Sequence, residues 1–195
     1  MRKVTKWKYR KYGTDQFSAD VEEYAQQIGV ISPVATMLLN RELNVLDKAK
    51  AFFNPGFEQL WDPFLIQDME KAIDKVQTVI ESGKPILVFG DYDVDGTTGA
   101  ALLTWFFRDN GVPVEYYIPD RETEGYGLST QGIDRADAIG AGLVTTCDCA
   151  INAFAEIDYA NEKGIPVIIT DHHRPAERLP DAYTALNPKR NDCDY

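Results

Sequence analysis

Residues 88–100 read VFGDYDVDGTTGA, which sets Asp91, Asp93 and Asp95 at alternate positions ahead of Gly96. Three carboxylates this close repel one another, so the pattern asks for a cation. A calcium loop of the EF-hand type starting at Asp91 would need a bidentate glutamate at its twelfth position. That position is Leu102. The preceding run, PILVF, is short and apolar and reads as a buried strand, not as an entering helix. The calcium loop fails on both counts.

Two further clusters share the setting. Asp148 follows the apolar run LVTTC, and Asp171, His172 and His173 follow VIIT; these are the chain's two histidines. Carboxylates with one or two imidazoles suit Mn²⁺ or Mg²⁺ better than a closed zinc site. Two such ions a few ångströms apart would activate a water and stabilise the leaving oxygen in phosphoester cleavage. Taken singly, an aspartate at a strand end is usually a helix cap or turn residue, and His172 alone would be an ordinary loop residue. The conjunction of three clusters, each after a strand, carries the metal reading. Cys147 and Cys149 flank Asp148. On a strand their thiols would point the same way, but two further zinc ligands are lacking, so core filling is the better reading.

The elements that must position these clusters alternate. From residue 84, PILVFG reads as a strand and TTGAALLTWFFRDNG, apolar nearly all round, as a buried helix. VPVEYYIP reads as a strand and STQGIDRADAIGAG as a helix capped by Ser129. LVTTCD is a strand, AFAEIDYANEKG a helix and IPVIITDHH a strand. This alternation predicts an α/β fold, a parallel sheet with helices on both faces. Ligands of such sheets bind at the carboxyl ends of the strands, where all three clusters fall. Residues 1–80 read as a mostly helical lead-in and 81–195 as the domain carrying the site. In the lead-in, SADVEEYAQQIG has Ser18 as cap and Gly29 as stop, and SPVATMLLNREL pairs a Ser32 cap with Pro33. DMEKAIDKVQTVIESG would keep Met69, Ile73, Val76 and Ile80 on one face.

Length and composition fit this picture. The 195 residues, 44% hydrophobic, are enough for a sizeable core. No apolar run approaches a membrane span, the N-terminus lacks a signal-peptide stretch, and three cysteines in no framework spacing point to a reduced, cytoplasmic protein. Twenty basic and 31 acidic residues leave a net charge of −11, which does not suggest a broad nucleic-acid surface. Part of that excess is the aspartate cluster itself, which divalent cations would neutralise. Residues 1–11 carry six basic groups and no acidic one. Trp7, Tyr9 and Tyr12 among them could stack on single-stranded DNA, or the segment is an edge strand or a tether.

DYDVDG, CDC and TDHHRP resemble the first three motifs of the DHH phosphoesterase superfamily. The wider chain resembles its branch of RecJ-type single-strand-specific exonucleases: the lead-in LLNREL…AKAFFNPGFEQLWDPFLIQDMEKAIDKV, the loop YYIPDRETEGYGL and the stretch DHHRP…ALNPKRNDCDY all look like it. The resemblance implies a 5′-to-3′ exonuclease on single-stranded DNA in repair and recombination, dependent on Mn²⁺ or Mg²⁺, with two ions in the complete protein. Carried onto this chain, Asp91, Asp93 and Asp148 would hold one metal. Asp95, Asp148 and His172 would hold the other, with Asp148 bridging. His173 would contact the scissile phosphate or steady the site. Arg121 and Arg174 match phosphate geometry, with surface salt bridging as the alternative. Thr97 opens a helix where free N–H groups favour an anion, and capping explains it equally well. The implied partners are single-stranded DNA, a single-strand-binding protein and a helicase.

Two departures from the pattern stand out. Ala150 occupies the place of a glycine in the second motif, where a positive φ or close backbone approach would strain it. The chain also carries no fourth motif, DHHA1 domain or oligonucleotide-binding fold, as expected of an N-terminal part of a longer protein. Competing readings keep the site but change the substrate to pyrophosphate, a cyclic dinucleotide or a short oligonucleotide, or treat the chain as a noncatalytic scaffold. The intact aspartates and histidines count against the scaffold.

Overall fold

A computed structural model of the chain describes residues 10–13 and 18–195. Trp7 and Tyr9, and with them most of the basic start, lie outside the described residues. The chain divides into two compact units, residues 1–60 and 61–195. Among the described residues no helix is long and apolar enough to cross a membrane.

In the first unit, helices α1 (Ser18–Ile28), α2 (Ser32–Leu39) and α3 (Leu46–Phe53) close over a small core of Val21, Tyr24, Ala35, Leu38 and Ala49. Tyr12 packs at its margin. The Tyr24 hydroxyl donates to the carbonyl of Leu43, tying α1 to the turn after α2. The cap of α2 falls one residue earlier than the sequence suggests: Ile31 is the capping residue, without a side-chain bond, and Ser32–Pro33 already form the first turn.

The second unit is the α/β layer. Its five strands are β1 (Ile86–Gly90), β2 (Val114–Tyr117), β3 (Leu143–Cys147), β4 (Val167–Thr170) and β5 (Thr184–Leu186). All pair in parallel in the order β2-β1-β3-β4-β5. Both central strands, β1 and β3, are buried throughout, which is why they read as continuous apolar runs with no alternation. Their side chains nevertheless alternate between two cores. Ile86 and Val88 face α4 (Met69–Ser82) and α5 (Val94–Asp109), while Leu87 and Phe89 face α6 (Thr130–Ala138) and α7 (Phe154–Glu162). Helix α4 thus belongs to the sheet and not to the helices before it. Ala72, Val76 and Val79 make its contact, and Ile80, expected inward, is exposed because the stripe is set one position earlier.

Helix α5 departs from its expected burial. Gly96, Ala100, Thr104 and Phe107 face the sheet, whereas Leu102, Trp105 and Phe106 are mainly exposed. Small residues bring this helix close to β1, while Leu102, Trp105 and Phe106 point away from the sheet. A groove of about 620 Å³ runs between α5 and β2, lined by Ala100, Trp105, Tyr116 and Ile118 among others.

The stretch that follows β5 is fastened to the start of α4 by Arg190. Its guanidinium, almost fully buried, donates to Asp68 at 2.9 Å, to Asp192 at 2.6 Å and to the carbonyl of Ala185. Burial pushes the Asp68 carboxyl up, but the hydrogen bond and charge of Arg190 outweigh this and hold it below the usual carboxylate range. A depressed folded value makes the contribution complete above the unfolded value, near 3.9, and lost as pH falls through the folded one. Asp68→Asn is expected to cost about 2 kcal/mol at pH 7 and visibly less at pH 3. Thermal melts of both proteins across that range check it.

Candidate metal centre

Where β1 ends the strand order reverses. β2 lies on one side and β3 on the other, a switch point that opens a crevice at the strands' carboxyl ends. The ladder continues one bond past each strand, and an aspartate makes each bond. The amide of Asp91 donates to Cys147, that of Asp148 to Thr170 and that of Asp171 to Leu186. Parallel register thereby lines three carboxylates along one rim.

Asp91 is fully buried. One carboxylate oxygen, Oδ1, accepts the Gly127 amide at 3.3 Å, while Oδ2 is buried with no partner. Asp93 caps α5, its Oδ1 accepting the amides of Asp95 and Gly96 at 3.0 and 3.1 Å. The Gly96 amide is the main reason its carboxyl sits below the ordinary range. Gly96 permits this geometry: a Cβ there would lie 2.4 Å from the Asp91 carbonyl oxygen and 2.5 Å from its nitrogen.

Asp148 has φ +63 and Ala150 φ +84, so the backbone turns through the left-handed region twice on leaving β3. A methyl-bearing residue therefore stands where glycine would be relaxed. Those turns also break the strand alternation, so Cys147 and Cys149 do not point the same way. Cys147 joins the core under α4 and α5, and Cys149 the core under α6 and α7. Burial pushes the Cys147 thiol up to about 11 and Cys149 well above its usual value, so both stay protonated core residues. Burial also raises the Asp148 carboxyl, and the charge of Asp93 raises it further.

Asp171 serves a different purpose from its neighbours. Its side chain is buried, with Oδ1 accepting the amides of His172 and His173 and facing His173 Nδ1 at 2.8 Å; Oδ2 accepts the Ile151 amide. All its capacity is used in holding the DHH turn against the loop after β3. His172 Nε2 lies 3.1 Å from Asp148 Oδ1, and His173 Nδ1 lies 3.8 Å from the same oxygen.

Two donor sets result, each with ligand atoms within 4.8 Å of one another: Asp91, Asp93 and Asp148, and Asp148, His172 and His173. Asp148 belongs to both. The orphaned Asp91 oxygen and the oxygen-rich first set fit a hard divalent cation, and the imidazoles of the second fit Mn²⁺. Asp95 is in neither set but lines an adjoining pocket with Asp148, Thr170 and His172. Arg121 and Arg174 are exposed, and among the described residues neither guanidinium forms an ion pair. Arg121 lies 5.2 Å over the Tyr92 ring, which makes a T-shaped contact with Tyr126, which in turn meets His173 the same way. Thr97 is differently engaged: its hydroxyl donates back to the Asp93 carbonyl at 2.6 Å, so it is neither the cap nor a free donor to the rim.

Sequence reasoning did not single out Tyr126, whose hydroxyl is 3.2 Å from His173 Nε2. Its signal was the glycine on either side, both with positive φ.

The family model described as the DHH family, N-terminal domain, matches residues 85–194. Over 97% of its length this chain is 32% identical to the single-stranded-DNA-specific exonuclease RecJ of Bacillus subtilis (strain 168), covering 24% of that protein. It is 40% identical to the enzyme of the same name from Escherichia coli (strain K12) over 67% of this chain and 23% of that one. The chain thus spans about a quarter of the length of these relatives. Among solved structures it is similar to exonuclease RecJ bound to manganese, with a TM-score of 0.62 and 32% identity over 68% of this chain and 34% of that one. It is also similar to RecJ in complex with Mn²⁺ from Thermus thermophilus, with a TM-score of 0.63 and 26% identity over 91% of this chain and 24% of that one. With more than half of its residues matched by that family model, the chain belongs to the DHH family, and it is similar to the RecJ exonucleases.

Proposed function

We propose that this chain carries the metal-binding lobe of a 5′-to-3′ exonuclease that hydrolyses single-stranded DNA using Mn²⁺ or Mg²⁺. The observation that carries the reading is Asp148, shared by two donor sets at one rim. Asp91, Asp93 and Asp148 hold one cation. Asp148 and His172, with Asp95 across the adjoining pocket, hold the second. Bound there, the cations supply Lewis acidity toward the phosphodiester and a water acidic enough to attack near neutral pH.

The chain's own residues do the rest. Asp171 orients His173 through Nδ1, which leaves the Nε2 edge, shared with Tyr126, for the scissile phosphate. Arg121 and Arg174, uncommitted to carboxylates, draw flanking phosphates to a rim that is otherwise acidic. Tyr126, exposed beside the rim, offers an aromatic face to an unstacked base, a contact that a single strand can make and a paired one cannot. The similarity to single-stranded-DNA-specific exonucleases, and to an exonuclease RecJ bound to manganese, supports the same reading.

Digestion of a 5′-phosphorylated single-stranded oligonucleotide with Mn²⁺ tests it. Nucleotides should leave from the 5′ end with the wild type and not with Asp148→Ala. Cleavage confined to cyclic dinucleotides or very short oligonucleotides would assign the same site another substrate, and failure to bind Mn²⁺ would overturn the reading.

A further inference from the structure

The loop between β2 and α6 contains a carboxylate to which the sequence assigned no role. Glu124 is half-buried, and its two oxygens accept the Tyr117 hydroxyl at 3.0 and 2.9 Å, the Asp120 amide at 2.9 Å and the Ser129 hydroxyl at 2.5 Å. These donors come from the end of β2, the start of the loop and the cap of α6. Tyr117 is itself stacked on Phe89 of β1 at 5.4 Å, so one end of the clamp is the central sheet. Burial and the Glu124 carboxylate push the Tyr117 hydroxyl up to about 12, so it remains a donor.

Beyond Glu124 the loop reaches the rim. Gly125 and Gly127 have φ of +87 and +85, and between them Tyr126 arches over the site. Its hydroxyl meets His173 Nε2, and the Gly127 amide meets Asp91 Oδ1. Two positive-φ glycines leave this arch little stiffness of its own. Its position therefore depends on what holds its base. We propose that Glu124 is a positioning residue: clamped to β2 and α6, it holds the Tyr126 hydroxyl on His173 and the Gly127 amide on Asp91. Glu124 touches neither ligand set, so it acts only through these two contacts. This role rests on the nuclease reading of the site, but the two contacts can be tested apart from it.

The chain has two histidines, so [¹⁵N]histidine spectra report each ring directly. Tyr126→Phe should displace the His173 Nε2 resonance and leave His172 in place. Glu124→Gln should reproduce most of that displacement, and combining it with Tyr126→Phe should add nothing further. In oligonucleotide cleavage Glu124→Gln should lower kcat about tenfold with KM little changed, the loss of roughly one hydrogen bond. Tyr117→Phe, which removes a single donor, should move His173 the same way by less, and it serves as the test if Glu124→Gln fails to fold. An unmoved His173 resonance in both variants, even with a lowered melting temperature, would reduce Glu124 to a loop staple and overturn the proposal. Mn²⁺ added to the wild type should broaden the His172 resonance; its failure to do so would sink the metal reading while leaving the Glu124 result standing.

Discussion

Asp148→Asn should abolish Mn²⁺ binding at the rim and reduce Mn²⁺-dependent DNA cleavage by at least about a thousandfold, while the protein stays folded. Asp148 is the residue common to both donor sets, so its loss empties each of an anionic ligand at once. Asparagine suits this test. Among residues other than glycine it tolerates the left-handed region best, and Asp148 sits at φ +63. Its amide nitrogen donates to Thr170 through the backbone, which the substitution leaves alone. Without metal, Asp148 is a half-buried carboxyl raised by burial and by Asp93, which together outweigh the lowering effect of His172 and His173, so neutralising it relieves net repulsion. The melting temperature of the metal-free variant should equal or exceed that of the wild type. Calorimetric Mn²⁺ titration, cleavage rates and thermal melts together check the prediction. Near wild-type Mn²⁺ affinity in the variant would remove Asp148 from its bridging role.

Gly96→Ala should be the most damaging small substitution near the site, costing about 3 kcal/mol. The added methyl would meet backbone atoms of Asp91 at 2.4–2.7 Å, and backbone cannot swing aside as a side chain can. Helix α5 would have to move off β1, and with it the two amides that Asp93 accepts. Stability and Mn²⁺ affinity should therefore fall together. Gly99→Ala is the control on the same helix. Its methyl would meet Cys147 Cβ at 3.3 Å, a side-chain contact that small shifts relieve, and the gain in helix propensity offsets it to within about 1 kcal/mol. Chemical denaturation of the three proteins separates these outcomes. Equal stability for Gly96→Ala and wild type would contradict the close approach.

The parallel sheet and the gathering of three clusters at one rim were legible because both rest on local signals. Short apolar runs alternate with helix-length segments, and each cluster directly follows a run. Ser129 as the cap of α6 was legible for the same reason, and its hydroxyl accepts the Gly132 amide. What escaped depends on contacts far apart in sequence or on backbone turns. Helix α5 looked apolar nearly all round, but which residues it buries is decided by the small ones, Gly96 and Ala100, that let it approach β1. Cys147 and Cys149 looked like neighbours on one face until the positive φ at Asp148 ended the strand between them. Asp171 could not be told from a ligand by its place in the motif; three backbone amides and the His173 ring nitrogen gathered on its carboxylate show that it holds the turn. Glu124 carried no signal at all, because its partners are a strand end and a helix cap on either side of it.

Anomalous diffraction at the manganese edge, from crystals of the chain grown with MnCl₂, tests the central claim most directly. The account predicts a peak among the carboxylates of Asp91, Asp93 and Asp148, touching the Asp91 oxygen that is otherwise buried without a partner. A second peak belongs against Asp148 and His172. Manganese bound elsewhere, with Asp91 and Asp148 left bare, would contradict the account.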